Sequence, residues 1–136
     1  MKTIPKVTLL LMLAVLISIV FGFDSRDRTS DTSEGINLIV LVKYKTQPDK
    51  GSTAVSELFK LIEKVEQEPH FVNIKLHVDP DDNTNILLYE EWDDGAYYKS
   101  DHMNTPHLQD FIAESRSFLA GPPEISFWEV KREFNK

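Results

Sequence analysis

At 136 residues and 41% hydrophobic content the chain suffices for one compact domain, and 27% charged residues beside that apolar fraction is a globular composition rather than a disordered one. Fifteen basic against 22 acidic residues leave −7, which argues against a nucleic-acid binder, because phosphate binding needs a basic stripe. Zero cysteines rule out a disulfide scaffold, thiol chemistry, thiolate zinc and a lipobox-type lipid anchor, and leave the compartment open.

Lys2 and Lys6 precede a 17-residue apolar run, Val7 to Phe23, broken only by Thr8, Ser18 and Gly22. A basic start ahead of a short apolar stretch predicts a secretory signal over residues 1–22, cut after Gly22, and hence a secreted or periplasmic protein. The alternative is an uncleaved membrane anchor over residues 7–23, since the run lies at the short limit for a span. Only in that case is a membrane a partner. Cleavage removes two lysines and no acid, leaving 13 basic and 22 acidic residues, or −9. Residues 23–35 read as a flexible linker: Asp24 to Gly35 has no apolar side chain to offset its own ordering entropy.

Residues 36–136 form the predicted domain. A domain this small buries roughly 65% of its unfolded surface, which makes a large internal pocket marginal in one copy and favours a homodimer. Ile36 to Lys45 is strand-like and apolar on both faces, with Leu38, Val40 and Val42 on one and Ile39 and Leu41 on the other, so it is predicted to be covered on both sides. Pro48, Asp49 and Gly51 make a turn, and Ser52 or Thr53 is a candidate helix cap. Val55, Leu58, Phe59, Ile62 and Val65 follow at helical spacing until Pro69. Phe71 to Val78 alternates, with Val72, Ile74, Leu76 and Val78 on one face. A polar loop from Asp79 to Asn85 leads into the strand Ile86 to Trp92. That loop fits parts of a calcium-loop spacing, but Thr84 stands where glycine is needed, and a polar hairpin tip explains the same residues.

Asp93 or Asp94 caps a short helix running to about Met103, and Thr105 with Pro106 opens another, with Leu108, Phe111, Ile112 and Leu119 as its apolar face. Gly121-Pro122-Pro123 ends it, and Ile125 to Val130 is a last strand. Strand, helix, strand, strand, two helical pieces, strand is the α+β, ferredoxin-like βαββαβ arrangement, with helices on one face of a four-stranded antiparallel sheet. The other face still carries large apolar groups, and a second copy is the simplest cover.

Tyr89-Glu90-Glu91-Trp92, then His102, then Asn104-Thr105-Pro106-His107-Leu108 resembles the antibiotic biosynthesis monooxygenase family. In that family a strand ends in Glu-x-Trp, a helix ends in His, and a small residue precedes Pro-His. Glu90, Trp92, His102, Pro106 and His107 stand at those positions. Glu68-Pro69 is a further likeness, with His70 where the family often has glycine. The likeness spans about Ile36 to Phe134. It implies a dimeric α+β barrel and oxidation of a quinol or similar electron-rich aromatic by O2, with no metal and no cofactor. The family also includes haem-degrading members, which use an Asn, a Trp and a His. Asn37, Trp92 and His102 are of those types, but the family's positions align nearer Tyr44, His102 and Phe111, which speaks against that activity.

Such an oxygenase must make its substrate electron-rich. A phenol with a pKa near 10 must lose a proton to a base such as histidine, near 6.5, a gap of roughly 5 kcal/mol that a dry site with hydrogen-bond donors has to supply. His102 is the first candidate base or donor, against the plainer reading of a helix-terminal imidazole bonding carbonyls. Trp92 offers an aromatic wall and one indole donor, against plain core packing. Glu90 shares its strand parity and needs a partner, which His102, Lys43 or Lys75 can be. Those three are the catalytic set, and Tyr89, Tyr97, Tyr98 and Phe111 are the substrate-binding set. His107 is expected exposed or capping, and it lies five residues from His102 rather than at the four-residue spacing of a helical metal pair. His70 and His77 read as loop or surface residues. The alternative function is a non-catalytic dimeric barrel that holds a small hydrophobic ligand.

Overall fold

A computed structural model describes residues 37–136. The predicted signal or anchor and the linker, residues 1–35, lie outside the described residues. Within them the order is β1 (Leu38–Lys45), α1 (Gly51–Val65), β2 (Phe71–Val78), β3 (Asn85–Trp92), α2 (Gly95–Lys99), a one-turn 3-10 helix (His102–Asn104), α3 (Pro106–Ser115) and β4 (Glu124–Glu129). The strands form one sheet in the order β2-β3-β1-β4, with every neighbouring pair antiparallel. This is the ferredoxin-like α+β fold that the element pattern predicts.

Register decides which side chains face the helices. Val40 pairs with Glu90 and Phe127, and Val42 with Leu88 and Ile125. Even positions of β1 and β3 therefore share a face with odd positions of β4. Val40, Val42, Ile86, Leu88 and Trp92 are buried there. In β2 the register slips between Phe71, opposite Trp92, and Asn73, opposite Glu91. This bulge turns Phe71 inward with Ile74 and Leu76 and leaves Val72 40% exposed, which corrects the simple alternation read from the sequence.

Helix α1 buries Ala54, Leu58, Leu61 and Val65, a stripe rotated from the expected one, and Phe59 is 54% exposed. Its start is set by close approach rather than by a cap. A Cβ on Gly51 would lie 2.4 Å from the Asn83 carbonyl oxygen, so the helix end sits against the β2–β3 loop. Neither Ser52 nor Thr53 caps it, because the helix already begins at Gly51, with Lys50 at the N-cap and no side-chain bond there. Asp94 caps α2 as predicted, accepting from the amides of Ala96 (2.8 Å) and Tyr97 (3.0 Å). The α2 helix ends at Lys99 rather than near Met103, and the chain turns once in 3-10 form before Pro106 opens α3. Leu119 lies beyond α3 and bridges to Thr46.

The face away from the helices carries Ile39, Leu41, Leu87, Tyr89 and Trp128 among polar groups, and Trp128 is 57% exposed. There Glu91 ties the start of β1 to β2, accepting from Asn37 Nδ2 at 2.7 Å and Asn73 Nδ2 at 2.8 Å. No helix among the described residues is long and apolar enough to cross a membrane.

Candidate active site

Between the helix-facing side of the sheet, α1, α3 and the segment that leads into β4 lies a cavity of about 490 Å3. Leu61 and Val65 of α1, Val42 and Leu88 of the sheet, and Leu108 and Phe111 of α3 make most of the wall apolar. Tyr44, Glu90, Tyr98 and His102 bring polar atoms to it, and Arg116 stands at its solvent side. The volume is in the range of small-molecule sites, which combine apolar walls with a few placed polar groups.

Two strands, one short helix and the 3-10 turn supply the polar set. Glu90 comes from the central strand β3, and its Oε2 accepts from Trp92 Nε1 at 3.1 Å. Burial pushes the Glu90 carboxyl up to about 7; the Trp92 hydrogen bond works against this and the charge of Glu68 adds to it. Burial likewise raises the Tyr44 and Tyr98 hydroxyls well above the ordinary phenol value, and the charge of Glu90 contributes to both. Tyr44 meets Phe111 edge-on, with ring centroids 6.2 Å apart. Tyr98 stacks on His102 at 4.8 Å.

His102 sits on the 3-10 turn with its Nδ1 2.9 Å from Glu68 Oε2 and 3.1 Å from Oε1. Burial holds this imidazole below its usual value. The Glu68 hydrogen bond and charge oppose the shift, and His107 adds to it. Glu68 is the unforeseen member of the site. Its side chain is 5% exposed and also meets His107 Nε2 at 2.5 Å and the Tyr97 hydroxyl at 3.1 Å. The break between α2 and α3 makes this convergence: His102 and His107 lie five residues apart and reach one carboxylate from either side of the turn. Glu68-Pro69 in the sequence was the available signal, but its partners are 34 and 39 positions further on.

The remaining predicted residues fall in several places. Phe111 and Tyr98 line the cavity. Trp92 is fully buried and does not line it, with its ring against Phe71, Tyr98 and His102; it holds Glu90 rather than forming a wall. Tyr97 is also outside the cavity wall: its hydroxyl donates to Glu68 and its ring lies 5.0 Å from His70. Tyr89 has the opposite strand parity to Glu90 and points to the far face, where the Lys75 ammonium lies 5.4 Å from its ring centre. The expected partners of Glu90 are also corrected. Lys43 and Lys75 occupy the far face by parity, and His102 turns its Nδ1 to Glu68. His107 is neither exposed nor capping, because Glu68 holds it.

Asn37 binds Glu91 on the far face, so Asn37, Trp92 and His102 do not converge on one site. In the β2–β3 loop, Asp79 accepts from the Asp81 amide and Asn85 Nδ2, and Asp82 pairs with Lys45 and Thr84. These carboxylates build the hairpin tip, as read from the sequence. Among the described residues no group of three His, Asp or Glu side chains is arranged to hold a metal ion.

The family model described as Antibiotic biosynthesis monooxygenase matches residues 37–114. YcnE of Bacillus subtilis (strain 168), a monooxygenase by name, is 28% identical over 89 residues, which is 65% of this chain and 93% of its own length. The solved structure of PA3566 from Pseudomonas aeruginosa matches 71% of this chain and 96% of its own, with a TM-score of 0.65 at 22% identity. A conserved protein from Methanosarcina mazei Go1 gives a TM-score of 0.65 at 18% identity, over 71% of this chain and 95% of its own. At these identities the two structures bear on the fold.

Proposed function

Because the chain belongs to the antibiotic biosynthesis monooxygenase family, we propose that it oxidises a quinol or similar electron-rich aromatic with O2, without a cofactor, in the cavity beneath α1 and α3. The observation that carries this reading is the gathering of His102, Glu90, Tyr44 and Tyr98 on the wall of a mostly apolar cavity of about 490 Å3. Such a space suits an aromatic ring, and a bound ring displaces water from the apolar walls, which strengthens the polar contacts made there.

The chemistry asks for little more than proton handling. A phenol and O2 give a quinone and water: one oxygen atom ends on the ring carbon and the other leaves with two protons. His102 is the base that takes the hydroxyl proton. Burial keeps its imidazole below the usual value, so it is neutral and able to accept at pH 7. Tyr44 and Tyr98 donate to the substrate oxygen as it becomes anionic, and their raised values keep them protonated while they do so. Glu90, poised at about 7, is the group that exchanges a proton with the departing oxygen. Trp92 acts indirectly by holding Glu90, and Phe111 packs against the ring.

The same reading includes a second copy of the chain over the far face of the sheet, covering Leu41, Tyr89 and Trp128 in a dimeric barrel. It also includes export through residues 1–22, with 23–35 as a tether to the 36–136 domain.

Oxygen uptake by the pure, metal-free protein with a panel of hydroquinones tests the proposal. Turnover that falls at least a hundredfold in His102→Ala supports it. Full turnover in that variant removes His102 from the mechanism. Retention of the hydroquinones without oxygen consumption establishes instead a non-catalytic barrel for a small hydrophobic ligand.

A further inference from the structure

Glu68 lies outside the cavity wall, is nearly inaccessible to water, and yet meets three polar side chains. A buried carboxylate in a small domain is costly unless its lone pairs are occupied, and here they are occupied by two imidazoles and a phenol. An ionised carboxylate only accepts, so each ring nitrogen facing it must carry a hydrogen. For His102 that nitrogen is Nδ1, which leaves Nε2, on the other side of the ring, without a hydrogen in the neutral form.

We propose that Glu68 is the positioning residue of the site: it locks His102 in the Nδ1–H tautomer with a bare Nε2 toward the cavity, and it couples the protonation of His102 to that of His107. This rests on the reading of His102 as the cavity's base. When Nε2 takes a proton, the substrate oxygen keeps the electron pair of the broken O–H bond, the ring becomes an imidazolium, and Glu68 stays anionic and stabilises it. One carboxylate fully compensates one imidazolium, so a positive His107 weakens the hold of His102 on its proton.

The groups that face this pair come from every neighbouring element. Glu68 follows α1, Tyr97 and Tyr98 come from α2, Glu90 comes from β3 beneath Trp92, and His107 comes from α3. The tyrosines stay neutral near pH 7, since both hydroxyls are pushed up, that of Tyr97 to about 12. Of the two buried acids, the charge of Glu68 pushes the Glu90 carboxyl up. On His102 the hydrogen bond and charge of Glu68 favour protonated imidazole, while burial and the charge of His107 oppose it.

Nitrogen-15 NMR of the imidazoles in the full chain tests this, with the chain's four histidines assigned by single substitution. The expected wild-type spectrum at pH 7 has His102 with hydrogen on Nδ1 and none on Nε2. Hydrogen on Nε2 overturns the proposal without any variant. In Glu68→Gln the His102 titration midpoint is expected to fall by about one pH unit or more. In His107→Asn it is expected to rise. An unchanged midpoint in Glu68→Gln overturns the positioning role, and an unchanged or lower one in His107→Asn overturns the coupling. If Glu68→Gln fails to fold, the wild-type tautomer and the His107→Asn titration still decide. The expected tautomer with no turnover of any hydroquinone sinks the oxygenase reading and leaves this inference standing. Turnover with the opposite tautomer does the reverse.

Discussion

Trp92 Nε1 and Glu90 Oε2 lie 3.1 Å apart, two residues along one strand and on the same face, so the largest core side chain is also the hydrogen-bond donor to a buried acid. Glu90 titrates near 7 in the fold, against an ordinary value of 4.5. Between those values the folded chain binds more protons than the unfolded one. The stability present below pH 4.5 is therefore lost as the pH rises through about 7. The loss is on the order of 3 kcal/mol. Glu90→Gln removes the ionisation and keeps an acceptor for Trp92. It should match the wild type in urea melts near pH 4 and exceed it by up to about 3 kcal/mol at pH 8. A stability difference that does not vary with pH refutes this account of Glu90.

Trp92→Phe separates the two roles of the indole. Phenylalanine keeps most of the packing but has no N–H, so a loss of about 2 kcal/mol in stability is expected from the vacated volume. The charged form of Glu90 loses its donor, and its midpoint should climb further above 7. Carbon-13 titration of the Glu90 carboxyl measures this directly. A downward shift shows that the hydrogen bond serves the protonated form instead.

The fold was largely written in periodicity, and the site only in part. The β-branched, apolar run of β1 and the Asp94 and Pro106 helix starts are local signals, and local physics decides them. Ala54 hides the true stripe of α1, because a small side chain carries little hydropathy while letting the helix approach the sheet. The β2 bulge is invisible because Phe71 and Val72 are both apolar, so either parity reads as buried. Tyr89 was a legible error, since its odd position against Glu90 and Trp92 already assigns it to the far face. Glu68 illustrates the reverse case. No spacing links an acid after one helix to imidazoles more than thirty positions on; only the folded chain brings them together.

His70 holds a left-handed backbone, φ 70°, at the turn into β2. That conformation costs a residue with a Cβ about 1 kcal/mol relative to glycine. The imidazole returns part of this through Asp93, at 2.7 Å, and through its contact with Tyr97. Comparing His70→Gly with His70→Ala cancels the lost contacts, since neither has an imidazole. The glycine variant should be the more stable by about 1 kcal/mol in chemical denaturation. Equal stability of the two places the turn in an unstrained conformation in solution.

Gly51 makes a sharper demand. A methyl group there meets the backbone oxygen of Asn83 at 2.4 Å, and a carbonyl held in a hairpin tip cannot swing aside like a side chain. Gly51→Ala should therefore lose about 2 kcal/mol despite the better helix propensity of alanine, by forcing α1 away from the β2–β3 loop. An unchanged or raised melting temperature removes close approach as the reason for glycine.

Trp128 stands on the far face of the sheet with its indole N–H bonded to Ser126 at 2.9 Å, and it remains 57% exposed beside Ile39. An exposed tryptophan opposite Ile39, on the face that also carries Leu41 and Tyr89, is the composition of an interface centre rather than of a wetted sheet. If a second copy covers this face, two chains of net charge −7 must approach, so association should strengthen with salt as their mutual repulsion is screened. Sedimentation of the wild type at tens of micromolar should give a dimer, and Trp128→Glu, which places a like charge at the contact of each copy, should give a monomer with unchanged far-ultraviolet circular dichroism. A wild type that sediments as a monomer at every salt concentration leaves the cavity as the property of a single chain and removes the dimeric barrel from the proposed function.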